Sequence, residues 1–407
     1  MRKHKSDRII GALTVILLGV GLIIIYAIGP MRVNVLNSTY GVDYSENYFF
    51  IRQLINVAMA AVAFIVAFKF PYAKLRKISK FAIILGLSLC VILALLALTG
   101  SSVAKCELGA CRWFSINGLS LQPAEVLKMG LVLYLASLMA ERSKQGRLAS
   151  SDFWIPFGVI SVVSLAFVVV VQKDLGTGVS IMAIILAMLL MSGVKMRYFL
   201  LTLAVVAAGG VIAIVSSPHR VERLLTFQSE DSSDSYHIEN AKIAIGAGGL
   251  LGVGIGNSVQ ATGYLPESIN DSVFAVLGET FGFVGLFVIV GSFTLLLIRL
   301  LRVSNYLADD EESLVVIGIF AWLAAHVVVN IASMTGLIPL TGITLPLLSY
   351  GGTSMLFTSA ALGLALQLSC YTEREPRKNK ITVETSSKHG TDQIPQRREG
   401  MIKRRTL

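Results

Sequence analysis

Charge is scarce in this chain. Of its 407 residues only 15% are Asp, Glu, Lys or Arg, while 54% are hydrophobic, a balance that excludes an ordinary soluble domain. Histidine is rarer still. His4, His219, His237, His326 and His389 are the five present; none stands at ligand spacing from another histidine or from a cysteine pair, so no built-in metal site is expected. The four cysteines give little. Cys90 and Cys370 fall in or at the end of apolar runs and read as small buried hydrophobes. Cys106 and Cys111 flank a four-residue spacer in a connection where oxidation is permitted. They are expected to be close enough to bridge in an oxidised sample, although spacing carries no geometry. No small-residue cleavage site follows the first apolar run, so no removable signal is expected. No repeat of fixed period is visible, which weakens an inverted-repeat transporter without excluding one.

What the chain does have is long apolar runs. A hydrocarbon core needs about 20 apolar residues per helix, and such runs fall near 9–29, 51–70, 80–99, 122–140, 153–171, 178–194, 197–216, 271–299, 314–336 and 347–370. The expected fold is an all-α polytopic membrane protein with ten transmembrane helices. An even number puts both termini on one side. If that side is cytoplasmic, it collects 26 of the 35 Lys and Arg: four in residues 2–8, five in 69–80, three in 142–147, two in 195–197, two in 299–302 and ten after residue 370. Positive charge favours cytoplasmic loops, so both ends are expected inside. The net charge of +10 then reports topology and anionic lipid, and no nucleic-acid partner is expected. Residues 1–370 read as one membrane domain and 371–407 as a disordered basic cytoplasmic tail.

The polar residues concentrate on the outward side. Residues 217–270 form a large extracytoplasmic loop between spans seven and eight, and long loops without a fold of their own usually carry function. Its "GAGGLLGVGIGNS" is a poor nucleotide loop, since no strand precedes it; close backbone packing or a re-entrant turn fits better. Glu267, Asp271 and Glu279 sit where the eighth span begins and could share one side of a helix. Glu279 lies within the apolar run, where carboxylates are costly and usually functional. Asp271 could equally be a helix N-cap. Arg112 precedes the fourth span, Glu125 and Lys128 lie three apart within its first turns and can pair. Lys173 and Asp174 occupy a very short connection, and Arg220 and Arg223 open the long loop. Each has a plain alternative: a snorkelling or structural pair for Glu125 and Lys128, an interface anchor for Arg112, loop solvation for Arg220 and Arg223.

Cations and carboxylates at one membrane face suit a lipid-linked anion. Arg and Lys bind phosphates and stabilise a departing pyrophosphate, and a carboxylate can take a proton from an attacking hydroxyl. A glycosyl or phosphoryl transferase acting on polyprenyl-linked substrates fits; so does a protein that carries a lipid headgroup across the bilayer. Composition and spacing do not choose between them.

Four segments, "CRWFSINGLSLQPAEVLK", "QKDLGTG", "GNSVQATGYLPESINDSVFAVLGETFGFVG" and "TGITLPLLSYGGTS", resemble in order the signature segments of the SEDS (shape, elongation, division and sporulation) family. The resemblance implies a ten-span peptidoglycan glycosyltransferase of the bacterial cytoplasmic membrane that polymerises lipid II, works with a class B penicillin-binding protein, and faces outward. "GIGNSVQATGYLPE" is closer to FtsW-type division members than to RodA-type elongation members, which implies action at the septum beside other divisome membrane proteins. Asp271 matches the family's loop aspartate, its proposed catalytic base. Arg112, Gln122, Glu125 and Lys128 fall on its Arg-Trp and Gln-Pro-x-Glu-x-x-Lys segment. Lys173 replaces a usual proline before Asp174, "SYH" at 235–237 stands where Gly-Tyr-Gln is usual, and "SIND" and "GET" also depart from the pattern.

The implied mechanism has Asp271 deprotonate the GlcNAc 4-hydroxyl of lipid II, which attacks the glycan linked to undecaprenyl pyrophosphate and inverts its anomeric carbon. Lys128, Arg112 and Arg220 or Arg223 would bind pyrophosphate oxygens, with a loosely held Mg or Mn sharing that work. Glu125 would position Lys128, and Ser349 with its neighbours would shape the cavity. The rivals are a lipid II flippase and a non-catalytic scaffold for a penicillin-binding protein.

Overall fold

A computed structural model describes residues 4–107, 110–116, 119–217, 220–221 and 233–373. They belong to one compact unit, Met1–Pro376; the expected tail, from residue 374 onward, lies outside the described residues. Helices α1 (Arg8–Tyr40), α2 (Tyr48–Lys69), α3 (Tyr72–Lys77) and α4 (Ser79–Leu98) lead into strands β1 (Ala104–Glu107), β2 (Ala110–Ile116) and β3 (Leu119–Leu121). Then come α5 (Pro123–Lys144), α6 (Ser151–Leu165) with a π-helical end Ala166–Val171, α7 (Leu175–Met191), α8 (Met196–Val215) and α9 (Ser233–Ala247). The chain closes with α10 (Val273–Tyr306), α11 (Asp310–Met334) and α12 (Gly352–Leu368). Among the described residues nine helices are long and apolar enough to cross a membrane, and α7 adds a shorter apolar one of 17 residues. The protein is a multi-pass membrane protein.

The polytopic helical fold stands as expected, with a small antiparallel sheet of order β1-β2-β3 set in the connection before α5. Two details differ. The long loop holds α9 and a 3-10 turn, Gln260–Thr262, rather than lacking structure. The last span starts at Gly352, not 347, because Leu347 takes a left-handed backbone (φ 65°) and the chain up to Gly351 is non-helical.

Helix ends follow local chemistry. Asp7 caps α1 through Ile9 N–H at 3.0 Å, and Gly41 ends it in the left-handed conformation (φ 65°). Asp309 caps α11, whose first turn carries Asp310, Glu311 and Glu312, favourable near the positive end of the helix dipole. Helices α5, α11 and α12 bury most of their length, whereas α8 buries no residue at all.

The glycine-rich stretch packs backbone to backbone against α10. Gly282 (φ 66°, ψ −167°) breaks α10, so backbone groups on either side lose their helical partners. Residues 249–254 take them up: Val253 N–H donates to Glu279 O at 2.9 Å, Gly254 N–H to Thr280 O at 3.1 Å, and Phe283 N–H to Gly249 O at 2.8 Å. A Cβ on Gly252 or Gly282 would collide with facing backbone. The loop therefore needs glycine there for close approach, not for phosphate binding.

Candidate functional site

The connections after α1, α4, α6, α8 and α11 meet at one end of the bundle. Arg112 on β2 donates to Gln172 O at 3.3 Å and Lys173 O at 2.8 Å, holding a turn in which Lys173 is left-handed (φ 53°). Asp174 caps α7, accepting from Thr177 N–H at 2.9 Å and its hydroxyl at 2.8 Å, and Gln122 donates to it at 3.3 Å. Gly176 follows because the Thr341–Ile343 segment presses on it where a Cβ would stand. Thr353 donates to Ser120 O at 2.6 Å, tying the start of α12 to the sheet. Arg220 donates to Ala213 O at 2.8 Å and Val169 O at 2.5 Å, and its charge lies in electrostatic range of Arg112. Arg223 lies outside the described residues.

Lys128 is fully buried. Its Nζ is 2.8 Å from Glu125 Oε1, 3.0 Å from His326 Nε2 and 4.5 Å from the Trp322 ring centroid. A carboxylate, an imidazole and an aromatic face thus surround the ammonium and offset its desolvation.

Asp271 sits in a turn, Pro266–Ser272, before α10. Helix α10 starts at Val273 with Ser272 as its N-cap residue, so Asp271 is not the cap and the three acids do not share a helix side. Glu267 is left-handed (φ 47°), and its carboxylate accepts from Arg32 at 3.3 Å and from Asn270. Tyr350 N–H donates to Ile269 O at 2.8 Å. Asn330 clamps the turn from α11, donating to Asp271 O and to Ile343 O, each at 2.7 Å. Burial first, and the Glu267 carboxylate second, push the Asp271 carboxyl up to about 7. A carboxylate with that affinity is basic enough to accept a hydroxyl proton near neutral pH.

Glu279 points elsewhere. It is buried and accepts from Ser258 Oγ at 2.5 Å, Val259 N–H at 2.8 Å and Gln260 N–H at 3.2 Å, so it anchors the loop that returns to Asp271. Ser349 Oγ accepts from Leu345 N–H at 2.9 Å and shapes the strap before α12.

Sequence reasoning missed Asn330 and Ser272, and met His237 only as part of a departure from the family pattern. A signal for the first existed: Trp322, His326 and Asn330 recur at i, i+4, i+8 on an otherwise apolar span and therefore face one way. That stripe joins the Lys128 pair to the Asp271 turn.

Comparison with known proteins gives the family. The sequence profile of the FtsW, RodA and SpoVE family, described as cell cycle protein, matches residues 8–374. Stage V sporulation protein E of Bacillus subtilis is 32% identical over 374 residues, 91% of this chain and 98% of that protein. A probable peptidoglycan glycosyltransferase FtsW of Saccharophagus degradans is 33% identical over 344 residues, 83% of this chain and 87% of its own. Among solved structures, the rod shape determining protein RodA of Thermus thermophilus superposes with a TM-score of 0.64 at 23% identity, covering 90% of this chain and 98% of that one. A chain from a peptidoglycan synthase complex that coordinates polymerization and crosslinking gives 0.69 at 22%, covering 89% and 97%.

Proposed function

The chain belongs to the FtsW, RodA and SpoVE family and is a peptidoglycan glycosyltransferase; from that premise we propose that it polymerises lipid II with Asp271 as general base. The observation that carries the assignment is the Asp271 turn, whose backbone carbonyls at Asp271 and Ile269 are held by the Asn330 amide and the Tyr350 N–H, so that it presents a carboxyl that burial pushes up to about 7. The acceptor's GlcNAc 4-hydroxyl attacks the anomeric carbon of the donor glycan. Its proton goes to Asp271, the bond from the anomeric carbon to the pyrophosphate oxygen breaks, and the configuration inverts. Leaving-group charge falls to Arg112, Lys173 and Arg220, with Gln122 and Asp174 holding the Lys173 turn. Lys128 and Glu125 act as fixed charges rather than phosphate ligands. Among the described residues no group of three His, Cys, Asp or Glu side chains stands close enough to hold a metal ion.

The site faces outward in this reading, with both termini cytoplasmic, as the positive-charge bias favours. A class B penicillin-binding protein is the partner, supported by the synthase complex among the structural neighbours. FtsW-named relatives support a septal role. The test is glycan synthesis from lipid II in detergent by the purified chain with its partner. Strands made by the parent and not by Asp271→Asn support the proposal; a flippase or scaffold makes none in either case.

A further inference from the structure

We propose that His237 is a positioning residue for Asp271, acting through the Ser272 hydroxyl; the inference rests on Asp271 being the base. His237 Nε2 lies 2.6 Å from Ser272 Oγ, and both side chains are buried. Ser272 Oγ is 2.8 Å from Pro266 O and 3.5 Å from Asp271 Oδ1. The hydroxyl has one proton, and the Pro266 carbonyl can only accept it, so His237 Nε2 carries the proton on its own bond and donates.

This arrangement resolves a competition. Ser272 is the N-cap residue of α10, where a serine ordinarily turns its oxygen onto the backbone N–H groups of the first turn. Here it makes no such bond. Its oxygen is engaged by His237 and its proton closes the turn back to Pro266, which is the turn that presents Asp271. Helix α9 supplies the imidazole rigidly: His237, Ala241 and Ala244 lie buried on one face of it. Without the imidazole N–H, Ser272 is free to rotate into the capping position. The Pro266–Ser272 closure then loosens, and the Asp271 carboxylate loses its aim. A misplacement of about 1 Å at a reacting group can cost on the order of 100-fold in rate.

The test measures kcat and KM for lipid II polymerisation by the full chain with its partner, for the parent, His237→Ala, His237→Gln, Ser272→Ala and Asp271→Asn. His237→Ala is expected to lower kcat about 10- to 100-fold with KM changed less than about twofold. His237→Gln, whose amide N–H can donate to the same oxygen, is expected to recover kcat to within about threefold of the parent. Ser272→Ala should lower kcat as His237→Ala does, and a variant carrying both His237→Ala and Ser272→Ala, measured alongside, should fall no further, because the two act as one unit. A parental kcat in His237→Ala, or equal losses in His237→Ala and His237→Gln, overturns the proposal. Should His237→Ala fail to fold, a parental kcat in Ser272→Ala overturns it instead. Polymerisation by Asp271→Asn would overturn the base assignment, an outcome separable from the others.

Discussion

Lys128 and His326, 198 residues apart in sequence, meet at 3.0 Å inside the bundle. Glu125 completes the group at 2.8 Å from the same ammonium. Removing one partner of a buried pair leaves the other charge uncompensated. Lys128→Met is therefore expected to destabilise the chain by about 3–5 kcal/mol and to lower turnover, with membrane insertion intact. Adding Glu125→Gln should restore most of the stability. Denaturant unfolding in detergent reads both, and a parental midpoint in Lys128→Met would exclude the paired-charge role.

Asp271 sets a pH dependence with a definite sign. With its carboxyl raised to about 7, kcat/KM should fall about tenfold per pH unit below that value as the base is protonated. Stability runs the other way. The folded pKa lies above an unfolded value of about 3.9, so the folded chain holds the proton more tightly; that contribution is complete below about pH 4 and is lost as pH rises through 7. At pH 8, Asp271→Asn should be inactive yet at least as thermostable as the parent. Asp271→Glu keeps the carboxylate one methylene further out and should retain a little activity.

Glu279 anchors Ser258, Val259 and Gln260. Glu279→Gln keeps one acceptor oxygen and turns the other into a donor facing backbone N–H groups. A loss of about 1–3 kcal/mol is expected, with faster proteolysis between residues 249 and 263 and an unchanged KM per folded molecule. A raised KM with normal stability would instead make Glu279 a substrate ligand.

Cys106 and Cys111 are bonded across β1 and β2, with Cα atoms 4.0 Å apart. An unreduced digest should contain that cross-linked peptide. Replacing both by serine should cost about 2 kcal/mol through the freed unfolded chain, and should loosen Arg112, the next residue on β2, from the Lys173 turn.

Composition alone determined the membrane class, because 54% hydrophobic residues arranged in ten long runs leave a helix bundle as the arrangement that satisfies every backbone group in lipid. The segments holding Arg112, Lys173, Asp174 and Asp271 were also legible, since polar residues stand out against apolar runs, while Gln122 came only through the family resemblance. What sequence could not set was direction and partnership. Lys128 reads like a phosphate ligand until α11 brings His326 and Trp322 against it. Glu279 reads like a site carboxylate until the break at Gly282 folds residues 249–260 back onto α10. Asp271 and Glu267 read as one helix face until α10 is seen to start at Val273. Periodicity reports which residues share a face within one element. Asn330, Ser272 and His237 gain their relation to Asp271 only where three separate elements converge, and only the tertiary structure decides that.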